Sequence, residues 1–263
     1  MQITWEAAPS RDDIPLLVCR AAGTPLDAPV AVCVHGYGRQ PLDMLEAFGP
    51  LAVAAGFVLV LPLFRDRGPF RQYQQLWSPR KPVRADLALL RALDRLAGQG
   101  CLSARRFCLF GHSGGGQFAH RLALLHPARV AALGIGAAGW YTWPDESWPW
   151  PLGLGAAEGF GAQANLEEFL SLPIRVWVGE RDDGADEVLR DEPSITALQG
   201  DGRLKRAQRW VSALQQQAQQ LGVTTDLALE VLPRAGHDFR VCQRRGGLAN
   251  KVFAHFERVR ASV

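Results

Sequence analysis

Apolar residues recur along this chain with two different periods. Residues 29–34 (Pro-Val-Ala-Val-Cys-Val), 57–64 (Phe-Val-Leu-Val-Leu-Pro-Leu-Phe), 107–110, 130–138, 174–178 and 227–232 are short runs with few polar breaks. Such runs, rich in β-branched and aromatic residues, suit strands buried on both faces. Residues 42–55, 86–97, 117–125, 203–221 and 248–259 instead carry apolar side chains at steps of three and four, the spacing of an amphipathic helix. In residues 86–97, Leu89, Leu90, Leu93, Leu96 and Ala97 fall on one side and Arg91, Asp94 and Arg95 on the other. The 203–221 stretch repeats the pattern through Ala207, Trp210, Val211, Leu214 and Ala218, and Gly222 stops it. The 42–55 helix is expected to be interrupted at Gly49-Pro50. Two leading strands, residues 2–8 and 16–22, are joined by a polar turn. Residues 184–202 show no period and read as a long loop, of the kind that is functional or mobile.

From residue 29 onward, strands and helices alternate. Parallel strands need such crossovers, so the pattern predicts an α/β layered, mostly parallel sheet with helices on both faces. In such sheets the ligand crevice lies beyond the carboxyl ends of the strands. Each candidate for chemistry sits at one of those ends.

The most informative stretch is Gly111-His112-Ser113-Gly114-Gly115, which fits Gly-x-Ser-x-Gly between a strand and a helix. That context is the one a nucleophile elbow requires: the serine takes a strained backbone conformation, and flanking glycines let strand and helix close around it. The strand at 29–34 runs into His35-Gly36-Tyr37-Gly38, whose glycines let backbone N–H groups approach a ligand. His35 is read as fixing the shape of that loop. The strand at 174–178 ends in Gly179-Glu180-Arg181-Asp182-Asp183, and the last strand in Ala235-Gly236-His237-Asp238.

Composition narrows the function classes. The chain has 263 residues, 48% of them apolar and 21% charged, enough for one large domain. A formal charge of +3 is too small to argue for nucleic acid or a membrane surface. Arg65, Arg67, Arg71, Arg80, Lys81 and Arg84, interleaved with Phe70, Tyr73 and Trp77, are read as a solvated loop. No signal peptide is evident, and the apolar stretch 51–64 is too short to span a bilayer. Five cysteines stand apart without metal spacing, and Cys33 and Cys108 fall inside strands as small buried thiols. A cytoplasmic location is expected. The histidines at 112, 120, 126 and 255 show no ligand spacing and are read as packing or cap residues, so neither metal nor organic cofactor is expected.

From residue 29 to the C-terminus, the elbow and the order serine, acid, histidine resemble the α/β-hydrolase superfamily. The resemblance implies Ser113 as nucleophile, His237 as general base and then acid, and Asp182 as the triad acid, with Asp183 as the fallback. It also implies the backbone N–H groups of Tyr37 and Gly114 as oxyanion donors. Residues 140–151 and the run Gln-Gly-x-x-Arg at 199–203 look like a branch of small bacterial hydrolases. Four of the eight tryptophans, at 140, 143, 148 and 150, lie in the first of these stretches. Two readings of it stand: a packed satellite cluster, or a short lid at about 139–172 in which Trp140 and Tyr141 line the pocket. Serine at 113 argues against haloalkane dehalogenases and epoxide hydrolases, which use aspartate. The expected activity is cleavage of a carboxylic ester of a small apolar or aromatic molecule through an acyl-enzyme. Thioesterase, peptidase and acyltransferase variants remain open, as does a non-catalytic binding protein of this fold. Oligomeric state is left open.

Overall fold

The computed structural model describes residues 1–66, 68–78, 83–103, 105–184, 189–190 and 192–261. Arg67, Arg80 and Lys81 of the basic loop lie outside the described residues. Among these residues, eight strands form one sheet: β1 (Gln2–Glu6), β2 (Leu16–Arg20), β3 (Val30–Val34), β4 (Val58–Pro62), β5 (Phe107–His112), β6 (Val130–Gly136), β7 (Pro173–Gly179) and β8 (Asp226–Leu232). Their spatial order is β1-β2-β4-β3-β5-β6-β7-β8. The first two pairings, β1 with β2 and β2 with β4, are antiparallel, and the rest are parallel.

The alternating apolar positions go to opposite faces, as the pleat requires. Val30, Val32 and Val34 of β3, with Phe107 and Leu109 of β5, face one core. Over it lie α2 (Ala85–Gly98), α3 (Gly114–Leu125) and α6 (Arg203–Leu221). Ala31, Cys33, Cys108 and Phe110 face the other, under α1 (Pro41–Ala54) and α8 (Leu248–Arg260). Phe48 of α1 meets Phe110 edge to face at 5.3 Å, and Phe57 meets Phe253 of α8 in the same way at 5.7 Å. Such pairs add specific geometry to the burial of aromatic area.

The structure differs from the periodicity in four places. Helix α1 is continuous through Pro50. A proline removes only one intrahelical bond, and Gly49 and Phe48 are buried against the body, so packing holds the helix together across it. Part of the supposed loop 184–202 is a short helix, α5 (Pro193–Gln199), which starts with proline at its first turn. Two more short helices, α4 (Leu166–Leu170) and α7 (Phe239–Gly246), were not foreseen either. Asn165 and Asp238 cap them through side-chain acceptors, from Glu168 N and Val241 N respectively. Helices this short carry too few turns for a period to show. Among the described residues, no helix is long and apolar enough to cross a membrane.

Candidate active site

Strand β5 ends at His112 and α3 begins at Gly114, so Ser113 is the single residue between them. Its backbone has φ 57° and ψ −116°, outside the regions where a side chain normally sits. Steric closure enforces this. A Cβ at Gly111 would lie 2.0 Å from Gly115 O, and one at Gly115 would lie 2.1 Å from Val34 O. Gly111→Ala or Gly115→Ala should therefore prevent the elbow from closing. The expected result is insoluble protein, or a soluble form with an unfolding midpoint lowered by several degrees; a wild-type midpoint for both would show that the turn tolerates a wider gap.

Two hydrogen bonds converge on this turn. His237 Nε2 lies 3.0 Å from Ser113 Oγ, and His237 Nδ1 lies 3.0 Å from Asp182 Oδ2. The three side chains come from the ends of β5, β7 and β8. Asp182 is 4% exposed, whereas Asp183 faces solvent, so only the first of the two carboxylates reaches the histidine. The second oxygen of Asp182 accepts from Arg203 Nη1 at 3.0 Å, a partner that had no assigned role in the sequence.

The loop after β3 faces the serine from the other side. A Cβ at Gly36 would lie 3.4 Å from Ser113 Cβ, and one at Gly114 would lie 3.4 Å from Tyr37 N. The Tyr37 amide thus lies beside Gly114, and among the described residues no backbone acceptor is recorded for either amide. His35 shapes this loop: its Nε2 accepts from Phe64 N at 3.1 Å, and its own carbonyl accepts from the buried Tyr73 hydroxyl at 2.6 Å. Arg39 also steadies it, donating to Tyr37 O at 2.7 Å and Arg71 O at 3.0 Å. Tyr37, Met44, Phe239 and His237 line a hollow of about 380 Å³ beside Ser113.

Trp140 and Tyr141 are not among the residues lining that hollow. Tyr141 is fully buried, and its ring stacks on Trp210 of α6 at 4.5 Å. Trp140 is 4% exposed, with the Arg121 guanidinium 4.0 Å from its ring centroid. Trp150 stacks on Phe160 at 4.9 Å. A large aromatic side chain gains most from full burial; α6 gives it to Tyr141, while Trp140 and Trp150 find theirs against Arg121 of α3 and Phe160. The period of the chain cannot show on which side of a strand end the following segment turns.

The remaining histidines have structural partners. His120 faces Gly116 O and accepts from Thr142 N, and His126 Nε2 bonds Asp86. Burial lowers His35 to about 4 and holds His112 well below the ordinary histidine value. His255 is also lowered to about 4, chiefly by burial. In the unfolded chain such groups take up protons near about 6.5. Between those values the unfolded chain binds more protons than the fold, so stability rises with pH through that window and is lost as acid is added. Urea midpoints at pH 7, 5.5 and 4.5 should fall in that order; a constant midpoint would mean that these imidazoles accept protons without unfolding. Among the described residues, no group of three or more His, Cys, Asp or Glu side chains is placed to hold a metal ion.

No family model and no curated protein matches this sequence. Solved structures do. The LpqC poly(3-hydroxybutyrate) depolymerase from Bordetella parapertussis is 26% identical, with 97% of this chain and 94% of that one covered at a TM-score of 0.77. Poly(aspartic acid) hydrolase-1 from Sphingomonas sp. KT-1 is 20% identical over 96% and 97% of the two chains, also at 0.77. An S-formylglutathione hydrolase from Agrobacterium tumefaciens is 16% identical over 98% and 93%, at 0.62. The layered sheet and the serine turn at the end of β5 are those of a hydrolase fold. The chain belongs to the α/β-hydrolase superfamily and is an enzyme of that type.

Proposed function

We propose that this protein is a serine hydrolase that cleaves carboxylic esters through Ser113, His237 and Asp182. The observation that carries the reading is the hydrogen-bonded row Ser113 Oγ, His237 imidazole, Asp182 carboxylate, with both links at 3.0 Å. His237 takes the Ser113 proton as Oγ attacks the ester carbonyl. The Tyr37 and Gly114 amides receive the oxyanion. The imidazolium then protonates the departing alcohol, and water, deprotonated by His237, releases the acid from the acyl-enzyme. Asp182 holds the tautomer with Nδ1 protonated and stabilises the imidazolium.

The similarity to a poly(3-hydroxybutyrate) depolymerase supports an ester over a peptide or thioester. The size of the hollow supports a small acyl or alcohol group. We read the chain as one catalytic domain in which residues 139–172 form a packed cap. Five unpaired thiols support a reducing, cytoplasmic setting.

A fluorophosphonate probe tests the reading directly. It should label the protein at one residue, and peptide mass spectrometry should locate it at Ser113; absence of labelling in an intact fold would overturn the proposal. A panel of p-nitrophenyl esters of rising chain length then ranks substrates. Burial keeps His35 and His112 neutral, so neither competes with His237 for the role of base. A protonated imidazole cannot accept the serine proton, so kcat/KM should rise with pH along a single limb. A rate flat from mildly acid to alkaline pH would contradict a histidine base.

A further inference from the structure

The run Gln199-Gly200-Asp201-Gly202-Arg203 has no part in the chemistry above, yet three side chains in and just beyond it are almost fully buried. Gln199 and Arg206 have no exposed surface, and Arg203 is 1% exposed. Burying two guanidinium groups is costly unless their donors are met, so their partners say what the segment does.

Arg203 is the first residue of α6 and meets the acid loop. Its Nη1 donates to Asp182 Oδ1, while His237 takes Oδ2. The next residue, Leu204, donates its backbone N–H to Asp182 O at 3.1 Å. One helix start therefore holds both the carboxylate and the carbonyl of the same aspartate. Gln199 exchanges two bonds with the Tyr141 backbone: Tyr141 N donates to Oε1 and Nε2 donates to Tyr141 O, both at 2.8 Å. Arg206 donates to Gly139 O and Gly200 O at 2.8 Å and to Arg190 O at 2.7 Å. The run thus ties the acid loop after β7 to the segment that leaves β6.

We propose that Arg203 is a positioning residue for the catalytic acid: it fixes the plane of the Asp182 carboxylate so that Oδ2 meets His237 Nδ1, and Gln199 and Arg206 anchor the clamp that carries it. The inference rests on the triad reading above. A carboxylate held through one oxygen can turn about its terminal torsion, where rotamer wells are broad. A second charge-assisted bond, made by a group with no freedom to swing into water, removes that freedom. An opposing effect is present, because Arg203 shares the negative charge that stabilises the imidazolium. Orientation outweighs it, since a carboxylate turned away from Nδ1 no longer holds the imidazole in place to take the serine proton.

The two effects have opposite signs, so kinetics separate them. The assay is p-nitrophenyl acetate hydrolysis by wild type, Arg203→Met, Arg203→Lys, Asp182→Asn and the double variant Asp182→Asn/Arg203→Met. Arg203→Met should lower kcat about 10–100-fold with KM changed less than about twofold, because the substrate walls are untouched. Arg203→Lys should recover most of the loss. On the Asp182→Asn background the Met substitution should cost less than about twofold, since the residue acts through the carboxylate. Equal losses on both backgrounds, no rescue by lysine, or a raised kcat would each overturn the proposal. If Arg203→Met does not fold, Arg203→Gln, which removes the charge but keeps a polar side chain, makes the same comparison on the two backgrounds. Turnover retained by Ser113→Ala would overturn the triad reading instead, whatever the cycle gives.

Discussion

Ser113→Ala should leave a folded protein whose kcat for ester hydrolysis is lower by about 10⁴–10⁶, and His237→Ala should do the same. Loss of Oγ removes the atom that forms the acyl-enzyme. Loss of the imidazole leaves a hydroxyl with no base 3.0 Å away to take its proton. The two act as one unit, so the double variant should be hardly slower than either single one. Folding should survive in both. Alanine at 113 takes the same strained φ as serine, and His237 keeps about a quarter of its side chain in water. Turnover of p-nitrophenyl acetate and far-ultraviolet circular dichroism, measured together, decide the matter. A variant with a native spectrum and near-normal kcat would remove its residue from the reaction.

The second large effect belongs to the acid. Asp182→Asn should lower kcat by roughly 10⁴, because an amide can donate to Nδ1 and so hold the imidazole in the wrong tautomer. Asp183→Asn should change kcat by less than about threefold, as expected for an exposed carboxylate away from the histidine. Stability should separate the pair as well. Asparagine at 182 leaves the buried Arg203 beside a neutral partner, and breaking a buried ion pair in this way is strongly destabilising, by about 3–5 kcal/mol. Thermal unfolding and initial rates for the two variants test both expectations. The reverse ranking in kcat would move the acid to Asp183. Small equal effects would exclude both. Asp145 would not then take over easily, since it is exposed and accepts from Ser147 N in its own turn.

The aromatic segment shows how one compositional observation can support two readings, a packed cluster and a pocket wall. A cluster of tryptophans after a strand that ends beside the serine is what a pocket wall would look like in one dimension. In three dimensions the backbone of Tyr141 is taken by Gln199, and its ring lies on Trp210. The hollow beside Ser113 is instead lined by Tyr37, Met44 and Phe239, residues that no motif singles out as a group. They belong to the loop after β3, α1 and α7, which lie far apart in the chain.

Local order was written in the sequence. The buried strands, the longer helices and the serine turn follow from apolar period, β-branching and glycine placement, all of which act over a few residues. So did the positions of Ser113, Asp182 and His237 at the ends of strands. Their meeting was decided elsewhere. Ser113 and His237 are 124 positions apart in sequence, and only the order of β5, β6, β7 and β8 in the sheet brings their side chains within 3.0 Å. The choice between two adjacent aspartates lay in which of them turns inward, set by the bond from Leu204 N and the ion pair from Arg203. The short helices α4 and α7 likewise start at side-chain caps, and α5 at a proline in its first turn with Ile195 and Gln199 buried beneath it. Periodicity reports the side of an element that is buried. It carries no information about the partner that buries it, because that depends on contacts between residues distant in the chain.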